Sequence, residues 1–90
     1  MAWEIKFSET ARKQLAKIDR HAQKNIWKYL KERIVPSEEP RSYGDPLRKN
    51  LAGLWKYRVG SYRVIVNIQD KELVVLVVRV GHRKNVYGEH

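Results

Sequence analysis

The side chains in this sequence that could do chemistry are cations and one phenol. Lys56 and Arg58 alternate in LWKYRV, and Arg63 follows just beyond a Gly-Ser pair. The closing stretch VVRVGHRKNVYGEH supplies His82, Arg83, Lys84 and Tyr87. Guanidinium forks match phosphate oxygens two at a time, an ammonium adds a compact charge, and a phenol can carry a proton. Such a set suits binding and charge stabilisation at a phosphodiester. No acidic cluster that could hold Mg²⁺ accompanies these cations, and there is no Gly-rich phosphate loop. The three histidines, His21, His82 and His90, lack a zinc-ligand spacing. With no cysteine in the chain, thiolate metal sites and disulfides are excluded. Any phosphodiester chemistry is therefore expected to run without a metal, and no cofactor is expected.

The elements that must position these groups are strands. Gly60-Ser61 is a two-residue connection with glycine first, the pattern of a type II′ hairpin. That loop sets Val59 opposite Tyr62, Arg58 opposite Arg63 and Lys56 opposite Ile65. Because side chains alternate across a sheet, Trp55, Tyr57 and Val59 share a core-facing side with Tyr62, Val64 and Val66. Lys56, Arg58 and Arg63 share the other side. Directly opposed like charges destabilise a strand pair by roughly a few tenths to 1 kcal/mol, and salt lowers that figure without changing its sign. An anion bound between the two arginines turns this cost into a gain; the bland alternative is that both splay into water. The next strand returns antiparallel and brings its far end beside Arg63. Gly81 is expected to end it, so that His82, Arg83, Lys84 and Tyr87 approach the cationic face.

Around this hairpin the pattern predicts an α+β domain. Trp3 to Phe7 alternates as a half-buried strand, and Ser8 stands where a helix N-cap belongs. Ala11, Leu15 and Ile18 follow at helical spacing. Asp19-Arg20-His21 breaks that helix, and Ala22, Ile26, Tyr29, Leu30 and Ile34 line a second one, making an antiparallel helical hairpin. Pro36, Pro40, Gly44 and Pro46 predict a loop without regular structure over 35–46. Strands are expected over 54–59, 62–68 and 72–80, forming a three-stranded antiparallel meander with the helices on one face. Asp70-Lys71 is the expected second turn. Arg79 interrupts the valine run near the strand's expected open end and receives no role. Trp27 is read as a helix-packing or protein-partner contact.

Ninety residues make one domain, spanning 1–90. The formal charge is +9, and a domain this basic expects a polyanion, nucleic acid above all. The longest apolar run, 73–78, is far too short to span a bilayer, and no signal-peptide pattern opens the chain. The expectation is a soluble, cytoplasmic protein with no membrane partner.

The stretches LRKNLAGLWKYRVGSYRVIVNI and VVLVVRVGHRKNVY, with the opening WEIKFSETARKQLAKID, resemble the RelE/ParE superfamily of bacterial toxins from type II toxin–antitoxin pairs. The resemblance covers nearly the whole chain and implies the RelE-like βααβββ fold. The RelE branch consists of ribosome-dependent endoribonucleases that cut mRNA in the ribosomal A site. Carried over by position, Lys56 and Arg58 match its strand cations, with Arg58 standing where lysine is common. Arg63, Arg83 and Tyr87 match the remaining members of its catalytic set. The ParE branch, which inhibits DNA gyrase, generally lacks the full set, so the resemblance favours RelE.

On this reading Arg58 and Arg63 hold the phosphate, and Lys56 or Tyr87 is the base. Tyrosine is a poor base at neutral pH, but clustered cations favour its anion. Arg83 stabilises developing charge or assists the leaving group. His82 is chemically suited to general acid work, although strand alternation turns it away from Arg83. Arg48, Lys49, His82 and Lys84 are the candidate contacts to RNA or ribosome. The resemblance also implies a cognate RelB-like antitoxin as partner, alongside ribosome and mRNA.

Overall fold

Two side-chain caps organise the N-terminal half of the chain. The computed structural model describes residues 2–82. Strand β1 (Glu4–Phe7) runs into Ser8, whose Oγ accepts a 3.0 Å hydrogen bond from the Ala11 N–H and opens helix α1 (Glu9–Lys17). Asp19 Oδ1 accepts a 2.9 Å bond from the Ala22 N–H and opens helix α2 (Arg20–Tyr29). Each cap satisfies a helix donor that would otherwise lack a partner. The break between the helices is thus only Ile18 and Asp19, and His21 belongs to the first turn of α2. Gln23 Nε2 closes the corner with a 3.0 Å bond to the Ile18 carbonyl.

Ala22, Ile26, Leu30 and Ile34 are all buried, as their spacing predicts. A strict four-residue spacing drifts around an α-helix of 3.6 residues per turn. At Leu30–Ile34 the helix widens to a π-type turn, with the Val35 N–H reaching the Leu30 carbonyl at 2.9 Å. That wider turn rewinds the drift and keeps Ile34 under the same stripe.

The sheet has five strands in the order β1-β5-β4-β3-β2, where β2 is Asp45–Pro46, β3 Trp55–Val59, β4 Tyr62–Gln69 and β5 Val74–His82. The central three form the expected antiparallel meander. Beyond that expectation, β1 adds in parallel to the outer side of β5, and β2 adds a two-residue bridge beside β3. The hairpin register is the predicted one: Arg58 pairs Arg63 and Val59 pairs Tyr62. Gly60 has φ +60 while Ser61 keeps a negative φ, as a type II′ turn requires. The second turn spans 70–73 instead of two residues, with Leu73 in the left-handed region at φ 55. Tyr57, Val64, Val66, Val75, Val77 and Val80 line one face of the sheet and pack with Ile26, Leu30 and Ile34 in a single core.

The proline-rich segment is more ordered than its composition predicts. Pro40–Tyr43 forms a 3₁₀ turn. Its Pro40 carbonyl accepts a 2.9 Å bond from the buried Tyr57 hydroxyl. Gly44 lies so close to β3 that a Cβ there would stand 2.6 Å from the Lys56 carbonyl oxygen. Arg41 grips Asp70 through two bonds, Nη1–Oδ1 at 3.0 Å and Nη2–Oδ2 at 2.7 Å, and so ties this segment to the 70–73 turn. The bidentate pair holds the Asp70 carboxyl below its ordinary range.

Burial pushes the Tyr57 hydroxyl well above the ordinary phenol range and raises that of Tyr29 as well, so the native state favours the protonated form of both. A group with a raised native pKa contributes stability below its unfolded pKa and loses it as pH rises. Stability is therefore expected to fall once pH passes about 10, the pKa of an unfolded tyrosine. Tyr57→Phe should flatten that alkaline decline. It should also destabilise the protein at pH 7 by about 1 kcal/mol, because the hydrogen bond from the Tyr57 hydroxyl to the Pro40 carbonyl is lost. Urea denaturation from pH 7 to 11 measures both effects.

Candidate functional site

The face of the sheet opposite the core carries two cross-strand rows. In the first, Asp45, Lys56, Ile65 and Arg79 are successive register neighbours across β2, β3, β4 and β5. In the second, Arg58, Arg63 and Gly81 run across β3, β4 and β5. Lys56, Arg58 and Arg63 thus share one face, as the hairpin register predicts. Gly81 does not end β5; the strand continues through it to His82. With glycine as its register partner, Arg63 has no side chain beside it on β5.

Arg63 is only 7% exposed, whereas its cross-strand partner Arg58 is exposed. Its Nε and Nη1 are buried and have no hydrogen-bond partner among the described residues. The two arginines therefore do not splay into water together. Leaving buried polar atoms unpaired costs about 1–3 kcal/mol, more for a charged group. A phosphate oxygen would supply the acceptors that these donors lack, with a charge-assisted bond to each.

Arg79 is the site residue that sequence reading passed over. It is not at an open strand end; it faces Ile65 in the middle of β5, in the row that contains Lys56. The reason is a β-bulge. From Val74 to Val77 the register with β4 is regular, then one residue, Val78, is skipped between the Val66–Val77 and Ile65–Arg79 pairs. The extra residue inverts the alternation, so Val80 points into the core and Arg79 and Gly81 lie on the cationic side. The unbroken apolar run 73–78 shows no two-residue period, so the sequence carried no signal of the slip at Val78.

The same alternation places His82 on the other side. It pairs with Tyr62, and the two rings meet edge-on with centroids 5.6 Å apart. The expectation that His82 approaches the Arg63 face is corrected: its side chain lies on the core-facing side of the sheet. Arg48 and Lys49 are exposed at the 3₁₀ turn Lys49–Leu51 ahead of β3, apart from the two rows. Arg83, Lys84 and Tyr87 lie outside the described residues. Trp55 and Tyr57 are core residues, as the register implies. Trp27 is 45% exposed on α2, with its ring 6.1 Å from that of Phe7. No helix among the described residues is long and apolar enough to cross a membrane.

This fold recurs in known proteins. Residues 5–87 match the family described as the ParE toxin of the type II toxin-antitoxin system parDE. Toxin RelG of Mycobacterium tuberculosis is 33% identical over 87 residues, which cover 97% of this chain and 98% of RelG. The toxin–antitoxin complex RelBE2 of the same organism contains a chain that superposes with a TM-score of 0.83 at 32% identity, covering 94% of this chain and 95% of that one. A free mutant of Escherichia coli toxin RelE superposes with a TM-score of 0.74 at 27% identity, covering 91% and 84%. The chain belongs to the RelE/ParE superfamily of type II toxins. Within it, the likeness to RelG and RelE sets the chain on the RelE-like branch.

The Nε and Nη1 donors of Arg63, buried without acceptors among the described residues, are a local cost to stability. Arg63→Met is expected to raise the urea midpoint at low salt by removing the unpaired donors. Sulfate should stabilise the wild-type protein, relative to chloride at matched ionic strength, by more than it stabilises Arg63→Met. Parallel thermal melts in the two salts give the comparison.

Proposed function

We propose that this toxin is a ribosome-dependent endoribonuclease that cleaves mRNA in the ribosomal A site without a metal, and that a cognate antitoxin neutralises it. The buried Nε and Nη1 of Arg63, which have no acceptor among the described residues, are the observation that carries the reading. Such a site fits a single phosphodiester better than an extended duplex, because its donors converge from adjacent strands.

Cleavage requires removal of the 2′-hydroxyl proton, attack of that oxygen on phosphorus, and departure of the 5′-oxygen with a proton. The products are a 2′,3′-cyclic phosphate and a 5′-hydroxyl. Arg63 and Arg58 hold the non-bridging oxygens, and Lys56 and Arg79 add positive charge as the phosphorane forms. Arg83 and Tyr87 join the catalytic set, with Lys56 or Tyr87 as the base. Arg48, Lys49 and Lys84 contact ribosomal RNA through phosphates. His82, on the far side of the sheet, is left out of the phosphodiester step and serves ribosome contact alone.

The test is primer extension on total RNA after induction. Wild-type protein should produce new 5′ ends within translated messages, while Arg63→Ala, Arg83→Ala and Tyr87→Phe should reduce them by at least about 100-fold, the scale of losing electrostatic or acid–base catalysis. Intact messages together with DNA damage signalling would replace this reading with that of a ParE-like gyrase inhibitor. Undisturbed growth would leave a binding module alone.

For the antitoxin we assign the α2 surface around Trp27. A groove of 590 Å³ there is lined by His21, Lys24, Trp27, Lys28 and Lys31, and a second, of 310 Å³, by Phe7, Leu15 and Trp27. An apolar floor with a lysine rim suits an amphipathic helix with acidic flanks. Trp27→Ala should stay toxic when induced alone yet escape neutralisation by the co-expressed antitoxin; loss of toxicity would instead assign this surface to the ribosome.

A further inference from the structure

The bulge that puts Arg79 on the cationic face has its own support. Strand β1 pairs with β5 only as far as Val77. Beyond that point β5 would be an edge strand with open backbone groups on its outer side. Helix α1 covers those groups with side chains. The Ser8 N–H bonds the Val77 carbonyl at 2.9 Å, and Ser8 Oγ donates to the carbonyl of the bulged Val78 at 3.3 Å. Six residues on, half-buried Gln14 accepts a 2.8 Å bond from the Val80 N–H through its Oε1. Arg79 is the residue between the two that α1 grips.

We propose that Ser8 and Gln14 are a positioning pair: they clamp the β5 bulge and so set the phase that holds Arg79 and Gly81 beside Arg63. Gln14 touches no substrate in this role. Its contribution is one acceptor, aimed at the first N–H after Arg79. If that acceptor is removed, the Val80 amide is left unpaired at a strand edge and the bulge is free to migrate. A migrated bulge turns Arg79 towards Val64 and the core. Ser8 is also the cap of α1, so Gln14 gives the cleaner test.

Gln14→Leu removes the acceptor at similar volume, and Gln14→Glu keeps one. By amide exchange, Val80 should lose protection by about tenfold or more in the leucine variant and stay near wild type in the glutamate variant. The Arg63-dependent stabilisation by sulfate should follow the same order. The cleavage arm rests on the nuclease reading: kcat on translated mRNA should fall about tenfold in Gln14→Leu with KM little changed, and recover within about threefold in Gln14→Glu. Leu30→Ala, a core change outside the Ser8 and Gln14 contacts, controls for general destabilisation. Wild-type protection of Val80 in Gln14→Leu overturns the proposal, as does equal loss of sulfate stabilisation in the glutamate variant or in the Leu30→Ala control. If the wild-type protein fails to cleave at all, the nuclease reading falls, while exchange and sulfate still decide the clamp.

Discussion

The structure depends on how strand alternation is reconciled with two incompatible requirements on β5. Its first half must present Val75 and Val77 to the helices, and its second half must present Val80 to the same core while keeping Arg79 out of it. An uninterrupted period of two cannot do both, because Val77 and Val80 are three residues apart. The bulge at Val78 absorbs the odd residue. Burying an unpaired guanidinium among valines would be far more costly than one interrupted ladder position. The irregularity is what lets a valine-rich strand carry a cationic surface on its outer face.

From that constraint the division of labour between the two faces follows. The helical side is apolar and continuous: Ile26, Leu30 and Ile34 meet Tyr57, Val64 and Val66. The far side holds charges of one sign in register, against the ordinary preference for alternating or neutral pairs. Asp45 places a carboxylate next to Lys56 in the register, which moderates the first row. Among the described residues the second row has no such register neighbour, and Arg63 is the member that is buried. Repulsion and incomplete hydrogen bonding concentrated at one point are what a ligand of opposite charge would remove, and such unrelieved features gather at functional sites.

The proline-rich segment plays a supporting part. Tyr57 is anchored on both sides, by the Pro40 carbonyl above it and by the Tyr29 ring 5.8 Å away. Because Tyr57 sits between Lys56 and Arg58 on β3, fixing its ring fixes the strand that carries both cations. The Arg41–Asp70 grip then links this anchor to the turn where β5 begins.

How much of this was legible in the sequence varies with the range of the interaction. Local chemistry was readable: the Ser8 and Asp19 caps, the helical stripes and the Gly60-Ser61 turn all depend on residues a few positions apart. The Arg58–Arg63 pairing followed, because a two-residue turn leaves one register available to its strands. The basic composition and the family resemblance were also in the sequence. Tertiary structure decided what depends on partners far along the chain. Nothing near Glu4–Phe7 says that it pairs in parallel with β5, and the proline-rich segment gained order from Tyr57, Asp70 and the bridge to β3. Arg79 sits within the sheet and not at an open strand end, and His82 lies away from the Arg63 face, because a bulge is settled by competition between core packing and ladder hydrogen bonds. That competition involves Ser8, Gln14 and Val66 at once, and a one-residue shift inverts every side chain beyond it.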